Sequence, residues 1–282
     1  TSTLVEVNGL ANPDLMFEMS GIASVNGPDK VLAPDTVHQP GGRYVHGLQI
    51  DFTVYLAGQL GVDPSGNLVG RGDAEAQAEQ AVQNILSLLE AAGGSVEDVV
   101  YTCLYVTNPG YADAVRNARR KHGLNACPST LVVIPSLAQA DYLVEIEAIA
   151  VIGTEKKVIR PGNVHSVTGR YEHAIVAGET IYLAGQVGLD RDGNLVGRGD
   201  VEAQARQLYT NMERVLAAAG ATYEDLVSTT VYLTNLGYRE GHLKVRKELG
   251  ITAPAGTTVV ISALAQPEML VEVEAIAVVG DR

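Results

Sequence analysis

The chain has 282 residues, 46% of them hydrophobic and 19% charged, and a formal net charge of −13. That balance belongs to a globular protein long enough for about two domains, and it excludes a nucleic-acid binder, which needs a clustered basic face. No apolar run reaches the ~20 residues that span a bilayer, and the two cysteines, Cys103 and Cys127, give neither a disulfide framework nor metal-ligand spacing.

In chain order, the first stretch is TSTLVEVNGLANPDLMFEMSGIASV. It recurs as PSTLVVIPSLAQADYLVEIEAIAVI from Pro128 and as AGTTVVISALAQPEMLVEVEAIAVV from Ala255. Glu18, Glu145 and Glu272 stand at a constant offset of 127 residues, since 145 − 18 and 272 − 145 agree. The chain therefore reads as the last fifth of one repeat followed by two whole ones, with boundaries at 1–27, 28–153 and 154–282. A lone strand pair cannot bury its apolar face. The expectation is a longer precursor cut before Thr1, whose upstream piece completes the first domain.

After the opening strand pair, residues 26–42 form a turn-rich connector matched by 153–169. Alternating strands follow, with Val54 to Leu56 running into Ala57-Gly58-Gln59 and a turn at Pro64-Ser65-Gly66-Asn67. Asp73 caps a helix from 74 to about 92, stopped by Gly93-Gly94. Its apolar positions Ala78, Val82, Ile85, Leu88 and Leu89 share one face. Next come a strand over 99–106, a helix over about 111–122, and strands over 130–134 and 143–151. The basic cluster Arg116, Arg119, Arg120 and Lys121 falls late in that second helix, where cations suit the dipole. The second whole repeat copies this order, with cap Asp200, a helix to Gly220, a strand over 226–233 and a helix over 238–249. Two helices per unit cover one face of a mixed sheet. Strands as apolar as 144–151 need cover on the other face too, and neighbouring repeats can supply it.

These residues resemble the Rid (YjgF-like) family of reactive-intermediate deaminases. The carriers are GRYVHG at 42–47 and GRYEHA at 169–174, LAGQ at 56–59 and 183–186, the helix entries DAEAQA and DVEAQA, and the closing VEIEAIA and VEVEAIA. The resemblance implies an α+β, chorismate-mutase-like fold, clefts between adjacent units, and a pseudo-trimeric ring from one precursor. It implies no cofactor. In the family an Arg in a P-A-R-[ST] pattern holds the substrate carboxylate. The matching positions here are Ser2, Ser129 and Gly256, so that anchor is lost. The family's Pro in G-P-Y is Arg43 and Arg170, which offer an anion contact from a new direction. The closing acid is kept as Glu147 and Glu274 and replaced by Ser20 in the first copy.

Thr1 follows from the chain order as a candidate nucleophile, because a free N-terminal Thr carries its own base, the α-amine. The plain alternative is that residue 1 is only a chain end. Substrate contacts are expected from Ser2, Arg43, Tyr44, His46, Ser129, Arg170, Tyr171 and His173, with Glu147 and Glu274 as acids or bases. The tyrosines are placed at the cleft mouth by the resemblance. The histidines His38, His46, His165 and His173 pair across the repeat, which duplication alone also explains. Glu145 and Glu147 share a strand face, for acid–base work or for edge solvation. Gly70 to Asp73 and Gly197 to Asp200 lack the Lys of a phosphate loop and read as turn plus cap, with Arg71 and Arg198 beside a cleft. The expected activity is hydrolysis of a C–N bond, amide or imine, in a small polar metabolite through Thr1. The alternatives are an enamine or imine deaminase using Glu-assisted water, and a non-catalytic ligand-binding scaffold. Low cysteine use points to the cytoplasm. Neither nucleic acid nor membrane is an expected partner, while a higher homo-oligomer is open.

Overall fold

Capping and burial decide where the helices stand. In the computed structural model, which describes residues 1–25, 27, 29–42, 44–251 and 254–280, Asp73 accepts from the amides of Glu75 and Ala76 and opens α1 (Ala74–Ala91). Asp200 caps α3 (Val201–Ala218) through Ala203 N at 3.1 Å. Each carboxylate satisfies amides that have no partner within the helix and suits the positive end of its dipole. Gly93 takes a φ of 80° after α1, a conformation that side chains resist, and so ends it. The shorter helices α2 (Ala112–Lys121) and α4 (Arg239–Glu248) each follow a single 3-10 turn started by Asn108 or Asn235.

Three short strands belong to the inter-repeat contacts: β1 (Val5–Glu6), β2 (Gly9–Leu10) and β8 (Ser136–Leu137). The first whole repeat builds a six-stranded sheet from β3 (Lys30–Leu32), β4 (Gly47–Ile50), β5 (Thr53–Leu60), β9 (Val144–Val151), β6 (Val99–Val106) and β7 (Ser129–Val133), side by side in that order. The second aligns β10 (Lys156–Ile159), β11 (Ala174–Ala177), β12 (Thr180–Val187), β15 (Val271–Val278), β13 (Leu226–Leu233) and β14 (Ala255–Val260), and adds β2 at the edge. Among the described strands, β6·β7 and β13·β14 pair in parallel and the others antiparallel. Helices α1 and α2 cover one face of the first sheet and α3 and α4 one face of the second, over separate cores. The other face of the first sheet meets the second repeat: Ile149 and Val151 share a core with Ile175, Ala177 and Tyr182.

Among the described residues, one strand contact recurs between copies at the repeat offset. Glu6 pairs with Ser136, Val133 with Ala263, and Val260 with Gly9. Shifting each pair by one 127-residue repeat gives the next, and the third returns to the first copy, so the contacts close a pseudo-threefold ring. Val5, Val132 and Val259 meet in one apolar cluster at this junction.

The opening stretch departs from expectation. Residues 1–10 supply β1 and β2, but residues 11–25 form no strand. The equivalent strands β9 and β15 are hydrogen-bonded on both sides by strands of their own repeat. Residues 11–25 have no such flanking strands in this chain. No helix among the described residues is long and apolar enough to cross a membrane.

Candidate functional site

Two equivalent packed seams between copies, here termed clefts, carry the candidate site, one between the opening tail and the first sheet, the other between the two sheets. Each is lined by the face of the central strand turned away from the helices. On β9, Val144, Ile146 and Ala148 enter the helix-covered core. Glu145 and Glu147, on the opposite face, enter the cleft. Edge solvation is ruled out for Glu145, which is buried.

A glycine makes room for the first acid of each pair. A Cβ on Gly58 would overlap the Glu145 carboxylate, and a Cβ on Gly185 would overlap that of Glu272. Both glycines sit at a register shift in β5 and β12. Across each cleft a threonine from the preceding copy completes the contact. Thr3 Oγ1 accepts from Gly58 N at 3.0 Å, and Thr130 Oγ1 accepts from Gly185 N at 3.1 Å. Tyr44 feels the charge of Glu145, and Tyr171 that of Glu272, which together with burial push both phenols up. The backbone ties the second cleft shut at one end, where Pro128 bridges to Glu172 and Glu172 N donates to Cys127 O at 3.2 Å.

Burial holds these carboxyls protonated well above the ordinary range. Glu145 and Glu272 are raised to about 8 and Glu147 to about 7. Desolvation of the charged form leads in each case, with a neighbouring carboxylate adding to it. The second acids differ between the clefts. Glu147 is hydrogen-bonded to Thr3 and faces Cys103 across the strand pair. Glu274 is held by Tyr101, Thr130, Thr230 and Tyr232, with Tyr232 Oη at 3.1 Å. So many donors favour its ionised form, although burial still raises it overall.

The sequence-derived candidates fall into several places. Tyr44 and Tyr171 stand half-buried beside Glu145 and Glu272. His46 and His173 are buried behind them, edge-on to the tyrosine rings at 5.4 and 6.2 Å. Their Nε2 atoms are bound to the carbonyls of His38 and His165 at 2.5 and 2.8 Å. They are buttresses to the cleft wall, and burial lowers both below the usual imidazole value. Ser129 is buried at the start of β7, while Ser2 and Arg170 are exposed. Arg43 lies outside the described residues. Thr1 is exposed, two residues before Thr3, and partial burial lowers its α-amine below the ordinary value. Arg71 and Arg198 pair with Asp141 and Glu268 at the surface. Cys103 and Cys127 are free and buried, Cys127 against the guanidinium of Arg119 at 3.6 Å.

Sequence reading placed the acid on Glu147 and Glu274. The structure sets these against Thr3 and Thr130, and sets Glu145 and Glu272 against the glycine and beside the tyrosine. The second glycine-side partner, Thr3 or Thr130, was missed because its role appears only across the copy boundary. The signal available was the invariance of Thr3, Thr130 and Thr257 at the repeat offset.

A domain profile described as Endoribonuclease L-PSP matches residues 36–152 and again 163–279. The RutC family protein PH0854 of Pyrococcus horikoshii is 35% identical over 123 residues, covering 43% of this chain and 97% of that protein. The RutC family protein slr0709 of Synechocystis is 34% identical over 128 residues, covering 43% of this chain and 95% of its own. A solved structure of the Rid family protein YyfA from Yersinia pestis is 37% identical, spans 44% of this chain and 100% of its own, and superposes with a TM-score of 0.42. Two matched domains in tandem, each with the glycine, tyrosine and closing acids in corresponding places, make this chain a member of the Rid family.

Proposed function

We propose that the chain hydrolyses an imine or enamine of a small polar metabolite to a carbonyl compound and ammonia, with water as the nucleophile and no covalent intermediate. The observation that carries this reading is the buried carboxyl of Glu272 pressed against Gly185 beside Tyr171, with its counterpart Glu145 against Gly58, where burial raises each to about 8. A carboxyl titrating near 8 is an acid at neutral pH and becomes a base after one transfer. The acid gives its proton to the imine nitrogen, or to the carbon of an enamine, which tautomerises to the imine. Water then adds to the electrophilic carbon while the carboxylate takes the water's proton. The carboxyl then protonates the amino nitrogen of the carbinolamine, and the C–N bond breaks as the hydroxyl gives its proton back to the carboxylate, releasing ammonia and the carbonyl compound with the acid restored. Family membership supports this class of chemistry. Arg170 and Arg116, both near enough to Tyr171 to lower its pKa against the effect of burial, supply the positive rim that a carboxylate-bearing substrate needs.

The test is ammonia release from an imine generated in situ by an amino-acid oxidase. Release above the spontaneous rate, lost in the Glu145→Gln/Glu272→Gln double variant, is expected. Equal rates with and without protein would overturn the reading and favour a ligand-binding scaffold. A second reading uses Thr1 as nucleophile on an amide or imine carbon after precursor cleavage; the lowered α-amine favours it as a base near neutral pH. Thr1→Ala abolishes turnover in that reading and leaves it intact in the first. The ribonuclease in the profile's description has little support, since buried carboxyls and a net charge of −13 repel a phosphate backbone.

A further inference from the structure

Between the two sheets, the second acids of the two clefts share one buried network. Glu147 feels the charge of Glu274, and Cys103 and Tyr105 feel both. The titratable groups facing this inner pair are Glu145 and Glu272 on the acids' own strands, Tyr101, Cys103 and Tyr105 on β6, and Tyr232 on β13. All of them are acids, and none can neutralise a carboxylate. Thr3 and Thr130 each bring a hydroxyl to one member from the preceding copy. Two carboxyls so placed do not ionise together, because the first charge discourages the second.

The facing strands decide where the first charge goes. Thr230 stands opposite Glu274 and Cys103 opposite Glu147, at the same step of the two whole repeats. Thr230 is hydrogen-bonded to Glu274. Cys103 turns the other way: its Sγ lies 3.7 Å from Tyr232 Oη, and Tyr232 Oη donates to Glu274 Oε1 at 3.1 Å. A phenol has one proton, here given to Glu274, so the thiol is the donor in its contact with Tyr232. The hydroxyl of Tyr105, the repeat counterpart of Tyr232, is hydrogen-bonded to the Cys103 thiol in turn. Tyr105, Cys103 and Tyr232 thus form one chain of hydrogen bonds that ends on Glu274. Each bond in such a chain polarises the next, so a carboxylate at its end gains from all of them.

We propose that Cys103 is a positioning residue that directs the negative charge of the inner pair onto Glu274, so that the second cleft acquires its carboxylate while Glu147 in the first still holds its proton. Both sides of this comparison lie in whole repeats, and the difference between them is Cys103 against Thr230. The consequence for turnover rests on the hydrolysis proposed above. An ionised Glu274 accepts a hydrogen bond from the attacking water, and its charge helps to keep Glu272 protonated as the acid. The second cleft then works at lower pH than the first.

Carbon-13 labelling of glutamate carboxyls follows both titrations in the full chain, with Glu147→Gln and Glu274→Gln for assignment. In the parent, Glu274 is expected to ionise at lower pH than Glu147. Cys103→Ala breaks the chain of donors and is expected to raise the Glu274 titration by about one pH unit. Cys103→Ser keeps a donor and is expected to leave it near the parent value. Cys103→Thr, matching Thr230, is expected to lower the titration of Glu147. In chains reduced to one working cleft by Glu145→Gln or Glu272→Gln, the acid limb of ammonia release should lie at lower pH for the second cleft. Glu147 ionising first in the parent, or a Glu274 titration that Cys103→Ala does not move, overturns the proposal. Absence of ammonia release from the parent sinks the hydrolysis reading alone, and the titrations still judge the role of Cys103.

Discussion

Thr130 Oγ1 accepts the amide proton of Gly185 at 3.1 Å across the boundary between the two sheets, and the same hydroxyl is hydrogen-bonded to Glu274. One side chain thus joins the backbone beside one cleft acid to the carboxyl of the other. Thr130→Val keeps the shape and removes both bonds, together with the contact of Tyr101 Oη to the same hydroxyl at 3.1 Å. The expected cost is about 1–3 kcal/mol, because a buried amide and a buried carboxyl each lose a partner. Urea unfolding checks it, and a midpoint unchanged from the parent would deny the threonine this role.

Gly185→Ala tests the close approach of Glu272. The new methyl group occupies space taken by the carboxylate, so the acid must swing away or the strand must shift. Overpacking of this sort costs about 1–3 kcal/mol. Ammonia release at the second cleft should fall further than stability does, since the acid is displaced in every molecule that folds. Gly58→Ala should do the same to Glu145, leaving the second cleft working.

The raised carboxyls set a pH dependence. Glu145 and Glu272 titrate near 8 and Glu147 near 7 when folded, while an unfolded Glu titrates near 4.3. Between those values the folded state holds more protons than the unfolded one. Their contribution is therefore greatest below about pH 4.3 and declines as pH rises to about 8, by up to about 1.4 kcal/mol per pH unit for each carboxyl. Urea midpoints from pH 5 to 8 should fall, and Glu145→Gln with Glu272→Gln should flatten that slope. Turnover by the proposed mechanism should decline above about pH 8 as the acids lose their protons.

The clefts are unequal, and Tyr101→Phe should reveal it. Tyr101 donates to Glu274, while Glu147 has Thr3 as its hydrogen-bond partner. Removing the phenol should raise the Glu274 carboxyl still further and destabilise the chain by about 1–3 kcal/mol. Carboxyl-selective spectroscopy should find one titration moved and that of Glu147 in place.

Much of this architecture was legible in the chain. The capped helix from Ala74, the strand Val99–Val106 and its copy Leu226–Leu233 stand where apolar spacing and caps put them, because each satisfies its local rules within one repeat. The covered second face of β9 was readable from its near-continuous apolar run. Two things were not readable. Residues 11–25 have the sequence of a strand but not its partners, and strand formation depends on partners. The close approach of Glu145 to Gly58 depends on a register shift there, which no side-chain pattern announces. Tyr101 and Thr130 lie in strands that read as plain core, and only the approach of another copy gives them a polar task.

The ring closes within one covalent chain, through Glu6 with Ser136, Val133 with Ala263 and Val260 with Gly9. In an assembly of identical subunits, a codon change strikes every pocket at once, so one pocket cannot drift while its neighbours keep working. Here each pocket is encoded separately. Cys103 opposite Glu147 and Thr230 opposite Glu274 already show two addresses diverging. A gene of this form can change the lining of one pocket and leave that of the other as it was, without dilution ever dissolving the pair.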